Sequence, residues 1–298
     1  MKLYIISFFV LLSFSGCWFC SNSQTNKKIE HDDQNNNKVE QTKLTGGTLE
    51  TGTLEALDKN KKPIIIEGSP VILEWYKTMD HATMVELQKK AIPVVAEAFA
   101  DEVRNFLLDD QLQLKKEYAD MFHDQNKSEE SNDKPEEASG ENPFIVSARL
   151  DREKRVEISR SQWEEWFQTT AQSMKDLQFK YFFVVAKNNK GTILGVIAFY
   201  TSPMLTKFFP DFDEYTEGDV VLEPMAIVPA AQGHGLARPL IFSILTLAPE
   251  TKRILVGTRM WIKNAVAMYE KLGFTEYKRE GIGVKFKYVV KSIKNSGN

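Results

Sequence analysis

The stretch from Val220 to Ala237, VVLEPMAIVPAAQGHGLA, constrains the fold more than any other part of the chain. An apolar run with strand character leads straight into a glycine-bearing turn and then a helical segment. A glycine turn at that junction exposes backbone N–H groups at the positive end of a helix, where a pyrophosphate can be held. Taken by itself the turn is also compatible with a tight structural bend.

The flanking sequence supplies a frame for this unit. Upstream, Pro63 to Glu67 and Val71 to Tyr76 read as strands separated by Gly68, Ser69 and Pro70. Thr83 to Glu86 fits a capping box, with apolar residues at helical intervals beyond it, and Pro93 is expected to kink or divide that helix. Ser161 to Glu164 fits a second box opening a helix to about Asp176, whose Trp163, Trp166, Phe167 and Met174 read as core. Lys180 to Lys187 and Thr192 to Thr201 form a hairpin about Asn188 to Gly191. Downstream come a helix over Leu240 to Leu247, a strand over Arg253 to Thr258, a helix over Ile262 to Lys271, and two closing strands, Phe274 to Arg279 and Val284 to Val290. That order implies an α/β (α+β) fold, a mixed and mostly antiparallel sheet covered by helices.

Composition limits the alternatives. The chain has 298 residues, is 42% hydrophobic and carries a formal net charge of -3, so it can bury a core and has no basic footprint for nucleic acid. Cys17 and Cys20 are the two cysteines, so the body of the chain has neither disulfides nor thiolate ligands, and His31, His81, His123 and His234 lack metal-site spacing. No metal is expected.

Residues 1–17 read as a signal peptide or lipoprotein leader. One lysine precedes an apolar run too short to span a bilayer comfortably, and Phe14-Ser15-Gly16-Cys17 is similar to a bacterial lipobox, with Phe14 where leucine is usual. This gives three readings, membrane attachment through a lipidated Cys17, ordinary cleavage after a small residue, or no cleavage and a single anchor, and an exported or membrane-anchored location with cytoplasmic action still open. Residues 18–61 are polar and read as a disordered tether, 62–292 as the folded domain, and about 109–142 as a charged surface insertion. Asp211, Asp213, Glu214, Glu217 and Asp219 read as a solvated acidic loop.

MAIVPAAQGHGLA closely resembles the acyl-CoA signature of the GNAT superfamily of N-acetyltransferases, a strand L-x-V-x-P followed by Q/R-x-x-G-x-G/A, with Gln232, Gly235 and Ala237 in its defining places. AVAMYEKLGF, 265–274, resembles the same family's second helix and turn. The resemblance implies a GNAT-like acyl-CoA N-acyltransferase fold, acetyl-CoA as co-substrate and an amine-bearing small molecule or protein as acceptor. It further implies that the backbone of Ala226, Ile227 and Val228 pairs with the pantetheine arm. Gln232, Gly233, His234, Gly235, Leu236 and Ala237 would hold the pyrophosphate. Tyr269 matches the place of the general acid and Glu223 that of the base; the structural alternatives are a tyrosine packed beside Phe274 and a glutamate at the solvated sheet end. The sequence departs from the pattern at Ile262, where the family commonly has asparagine, with Asn264 displaced by two positions, and at Pro239 inside the expected phosphate-binding helix. A non-catalytic acyl-CoA-binding or surface-anchored protein retaining the fold is the alternative function, and oligomeric state is not read from the sequence.

Overall fold

The computed structural model describes residues 40–44, 47–117, 143–174, 178–202, 212, 215–280 and 283–291. Its strands are β1 (Glu40–Leu44), β2 (Gly47–Glu55), β3 (Ile65–Ile66), β4 (Ser69–Pro70), β5 (Ile72–Thr78), β6 (Lys180–Lys187), β7 (Ile193–Thr201), β8 (Asp219–Ile227), β9 (Arg253–Arg259), β10 (Thr275–Glu280) and β11 (Gly283–Val289). Its helices are α1 (His81–Phe99), α2 (Glu102–Leu107), α3 (Pro143–Ala148), α4 (Arg152–Met174), α5 (Ala237–Phe242), α6 (Ile244–Leu247) and α7 (Lys263–Lys271).

Nine strands form one sheet in the order β1-β2-β5-β6-β7-β8-β9-β11-β10, with β3 and β4 pairing separately. Each neighbouring pair in the large sheet is antiparallel except β8 and β9. This is the mixed, mostly antiparallel, helix-covered sheet expected from the order of elements.

Alternation on the central strands sends side chains to two cores. Phe182, Val184, Phe199 and Leu222 pack on one face with Leu240, Ile241, Ile244 and Tyr269 from α5 to α7. Phe183, Val185, Ala198 and Tyr200 pack on the other with Met84, Leu87 and Val95 from α1 and Trp163, Phe167 and Met174 from α4. Each fully buried Val, Leu, Ile, Phe or Met among them contributes about 1.5–3 kcal/mol by leaving water, which is why the near-continuous apolar runs of β6 and β7 take the middle of the sheet.

Several local expectations are corrected. The stretch assigned to a tether includes β2, whose Glu50 to Glu55 pair with Lys77 to Ile72. β2 has few apolar residues because it covers the outer part of the sheet; it substitutes β-branched threonines and two glycines for bulk. A Cβ at Gly52 would lie 2.7 Å from the Trp75 indole, so that position admits the ring only without a side chain. Helix α1 begins at His81 with Asp80 as its cap, accepting from Thr83 N at 2.7 Å, so Thr83 is inside the first turn. It then runs through Pro93 as a single helix. Likewise α4 starts well before Ser161, because Asp151 accepts from Lys154 N at 2.9 Å and Arg155 is clamped to Asp101. Of the charged insertion, 109–117 is ordered by Asp109, which accepts from the backbone of Gln111 and Gln113, whereas 118–142 lies outside the described residues. The leader and Cys17 also lie outside them. Among the described residues no helix is long and apolar enough to cross a membrane.

Candidate active site

β8 changes partners along its length. Asp219 to Leu222 pair in parallel with Arg253 to Val256, and there the pairing stops. Beyond it β8 stays with β7, whereas Gly257 to Arg259 of β9 stay with β11, so the two strands part and a cleft opens between them. Val228 N donates to the Leu194 carbonyl at 3.0 Å, on the β7 side. Because successive peptide groups alternate in direction, Ala226 also faces β7, and Met225 and Ile227 present their backbone groups to the opening. Of the three residues expected to pair with an extended arm, Ile227 therefore stands at the open edge. Its carbonyl accepts from Gln232 Nε2 at 3.0 Å.

A bulge lies at the mouth of the cleft. Ile197 is opposite Met225 and Phe199 opposite Leu222, so Ala198 faces two residues, Glu223 and Pro224, whose peptide is cis. The facing of side chains shifts accordingly. Val221 and Ala226 belong to one core, whereas Leu222 and Met225 pack in the other. The alternation argument that puts Glu223 on the face of Met225 fails here, because it requires an unbroken strand.

After β8, Pro229 to Ala231 form a 3-10 turn, and the glycine loop follows. Gly233 and Gly235 have φ of 79° and 81°, the left-handed region that other residues enter only at a cost, and this is what turns the loop. Among the described residues no acceptor takes the backbone N–H groups of Gly233, His234, Gly235, Leu236 or Ala237. Consecutive N–H groups left open in this way form a concave anion site. Gln232, Gly233, His234 and Gly235 are exposed, Leu236 is buried as an anchor and Ala237 is half-buried. Pro239 neither delays nor abolishes α5. It occupies the first turn, where its nitrogen has no intrahelical partner to lose, and the break falls later, at Ser243 between α5 and α6.

The cleft has a volume of about 1910 Å³ and is lined by Glu223, Met225 and Ile227 of β8, by the 232–238 loop and by Tyr269 of α7. Ile262 and Asn264 both line it, so Asn264 reaches the cleft despite its displaced position in the sequence. The opposite wall carries Glu102 of α2 with Trp163 and Trp166 of α4. Tyr269 is 4% exposed and packs against Phe274 and Phe286, with ring centroids 5.4 and 5.8 Å away. It is thus a core ring and a cleft-lining phenol together. Burial first, and then the Glu223 carboxylate, hold that phenol well above its usual range.

Glu102 is a residue that sequence reasoning missed. Burial pushes its carboxyl up to about 7, only partly opposed by Arg259, whose guanidinium lies 3.3 Å away. Locally it does not stand out, since Glu97, Asp101 and Arg104 share its stretch of chain; its arrival in the cleft depends on the packing of α2. Asp219 corrects the solvated-loop reading: it is buried, accepts from Arg253 Nε at 2.9 Å and caps Thr216 N at 2.6 Å. Glu217 is exposed, and Asp211, Asp213 and Glu214 lie outside the described residues. Among the described residues no group of three or more His, Cys, Asp or Glu could hold a metal ion.

An open strand edge leading to a loop of free N–H groups is a site for an extended ligand ending in an anion. Part of the chain matches a known family. Residues 152–274 match the model of the acetyltransferase (GNAT) family, a segment that holds α4, the hairpin, β8, the glycine loop and α7. No curated protein sequence matches the chain. Solved structures similar to it include an N-acetyltransferase from Thermoplasma acidophilum in complex with coenzyme A, 12% identical over 69% of this chain and 94% of that one, with a TM-score of 0.38. A spermidine N-acetyltransferase variant from Vibrio cholerae is 17% identical over 43% and 73% of the two chains, with a TM-score of 0.30. A GNAT-family acetyltransferase from Staphylococcus aureus is 18% identical over 37% and 68%, with a TM-score of 0.31.

Proposed function

We propose that the chain transfers an acetyl group from acetyl-CoA to a primary amine by direct attack. One observation carries this reading: the open edge of β8, the N–H loop, Glu223 and Tyr269 all border one cleft. The residues suit such a co-substrate, because Met225 and Ile227 offer strand-edge hydrogen bonds to an amide-containing arm, and Gly233 to Ala237 offer donors to its phosphates.

Glu223 accepts the proton that an acceptor ammonium loses before its nitrogen can attack. As the nitrogen–carbon bond forms and the carbon–sulfur bond breaks, Tyr269 donates its phenolic proton to the departing sulfur. The two transfers reinforce each other. The charge on Glu223 raises the Tyr269 pKa, so neutralising that charge makes the phenol a stronger acid at the moment of need. Trp163 and Trp166 supply an apolar wall that reduces water on the acceptor side.

Calorimetric titration of the full chain with acetyl-CoA tests the reading, followed by CoA thiol release with alkyl monoamines, lysine peptides and free peptide amino termini. Saturable binding with amine-dependent thiol release is expected. Absence of saturable binding defeats the proposal, and binding without turnover across the panel would favour the non-catalytic acyl-CoA-binding alternative. Membrane attachment through Cys17 belongs to the same proposal and is tested by mass spectrometry of the mature amino terminus; an unlipidated terminus would refute it.

A further inference from the structure

The loop between β2 and β3 carries Lys59, Lys61 and Lys62 in a stretch that precedes the segment matched to the family model. Asp58 organises it. Its Oδ1 accepts from Asn60 N at 2.8 Å and from Lys62 N at 2.9 Å, and Leu57 and Pro63 close the base as an isolated bridge. Lys61 has a φ of 61°, a left-handed conformation uncommon outside glycine, so the loop is held in one shape at a local cost. With the Asp58 carboxylate taken up by backbone N–H groups, Lys59 and Lys61 are exposed, and neither makes an ion pair among the described residues.

The sheet register places this loop. Leu54 is opposite Leu73, Leu73 opposite Ala186, Ala186 opposite Gly195 and Gly195 opposite Ile227, so β2 and β8 finish at the same end of the sheet. Ala56 and Ile64, on either side of the lysines, are buried in the same core as Ala231 and Leu236, which anchor the glycine loop. Asp58 and Lys59 line the cleft that Gln232, Gly233 and His234 also line. The N–H groups of the glycine loop suit the diphosphate of acetyl-CoA, which leaves one anionic group of that molecule without a partner, the phosphate on its ribose 3' oxygen. That group is a monoester carrying about 1.5 to 2 negative charges at neutral pH. Lysine ammonium groups on flexible stems meet such a charge well at an exposed rim.

We propose that Lys59 and Lys61 form a cationic rim of the cleft that receives the ribose 3'-phosphate, so that the β2–β3 loop selects acetyl-CoA over its 3'-dephospho form. The inference rests on the reading of the glycine loop as the co-substrate site.

Calorimetric titration of the full chain with acetyl-CoA and with acetyl-3'-dephospho-CoA tests it. The parent should bind the dephospho compound about tenfold more weakly at low ionic strength, and the gap should narrow as salt is added, because exposed charges are screened. Lys59→Gln/Lys61→Asn removes both charges, and asparagine tolerates the left-handed turn. This variant should bind acetyl-CoA about tenfold more weakly than the parent and the dephospho compound equally well, so the preference disappears. An unchanged Tm shows that the loop is still folded. Equal affinities for the two compounds in the parent, or the full preference kept in the variant, overturns the inference while leaving the co-substrate reading in place. Absence of saturable binding of either compound overturns both.

Discussion

The two halves of β8 use the same strand backbone in opposite ways. From Asp219 to Leu222 the strand is buried and paired with β9 throughout, Val221 and Leu222 are paired with β7 as well, and its first residue is locked to Arg253. From Glu223 to Ile227 it is bonded on one edge, bulged at Glu223 and Pro224, and half-buried at alternate positions. The paired half spends its hydrogen bonds on the fold. The open half keeps donors and acceptors toward β9 that a ligand can complete, which costs little because the cleft leaves them solvated. One continuous strand thus joins a rigid anchor to a receptive edge, and the anchor is what holds the edge in place.

This contrast can be broken most severely at the anchor. Asp219→Ala leaves the Arg253 guanidinium without its buried partner and should destabilise the protein by about 3–5 kcal/mol in denaturant unfolding. The acetyl-CoA affinity of the folded fraction should stay the same, whereas a large affinity loss would mean that the halves are not separable. On the open side, Tyr269→Phe keeps the ring against Phe274 and removes only the proton donor; kcat should fall about a hundredfold with acetyl-CoA binding unchanged. Gly235→Ala forces a side chain into a left-handed conformation that costs about 1–2 kcal/mol. The loop should relax away from the cradle, weakening acetyl-CoA binding about tenfold with little change in kcat.

The smallest effect concerns the opposite wall. The folded-state pKa of Glu102 is raised, so the folded protein binds that proton more tightly than the unfolded chain. Stability from this group is present at pH below the ordinary carboxyl range and is lost as pH rises toward and through about 7. Glu102→Gln should remove this decline, seen as a smaller fall in Tm from acidic to neutral pH than in the parent; parallel curves would contradict the assignment.

Features of the chain that were readable from sequence are local ones. The glycine loop was legible because positive φ at Gly233 and Gly235 demands that residue type, and α7 because its apolar spacing and its Gly273 turn are continuous in sequence. The bulge was not legible, since it is defined by register against Ala198 rather than by Glu223 itself. Glu102 reads as an ordinary helical polar residue until α2 packs, and β2 hid in a polar stretch because its one conspicuous need, a glycine under Trp75, is set by a partner strand. Helix starts were misplaced for a related reason: Asp80 and Asp151 are equally good caps a few residues upstream of the boxes that matched.

The central claim is that the open half of β8 and the loop after it receive the co-substrate while the paired half does not. Amide hydrogen exchange on the full chain, with and without saturating acetyl-CoA, tests this directly. Added protection should concentrate in the backbone from Met225 to Ala237 and leave Asp219 to Leu222 unchanged. Protection absent from Met225 to Ala237, or centred elsewhere on the sheet, would contradict it.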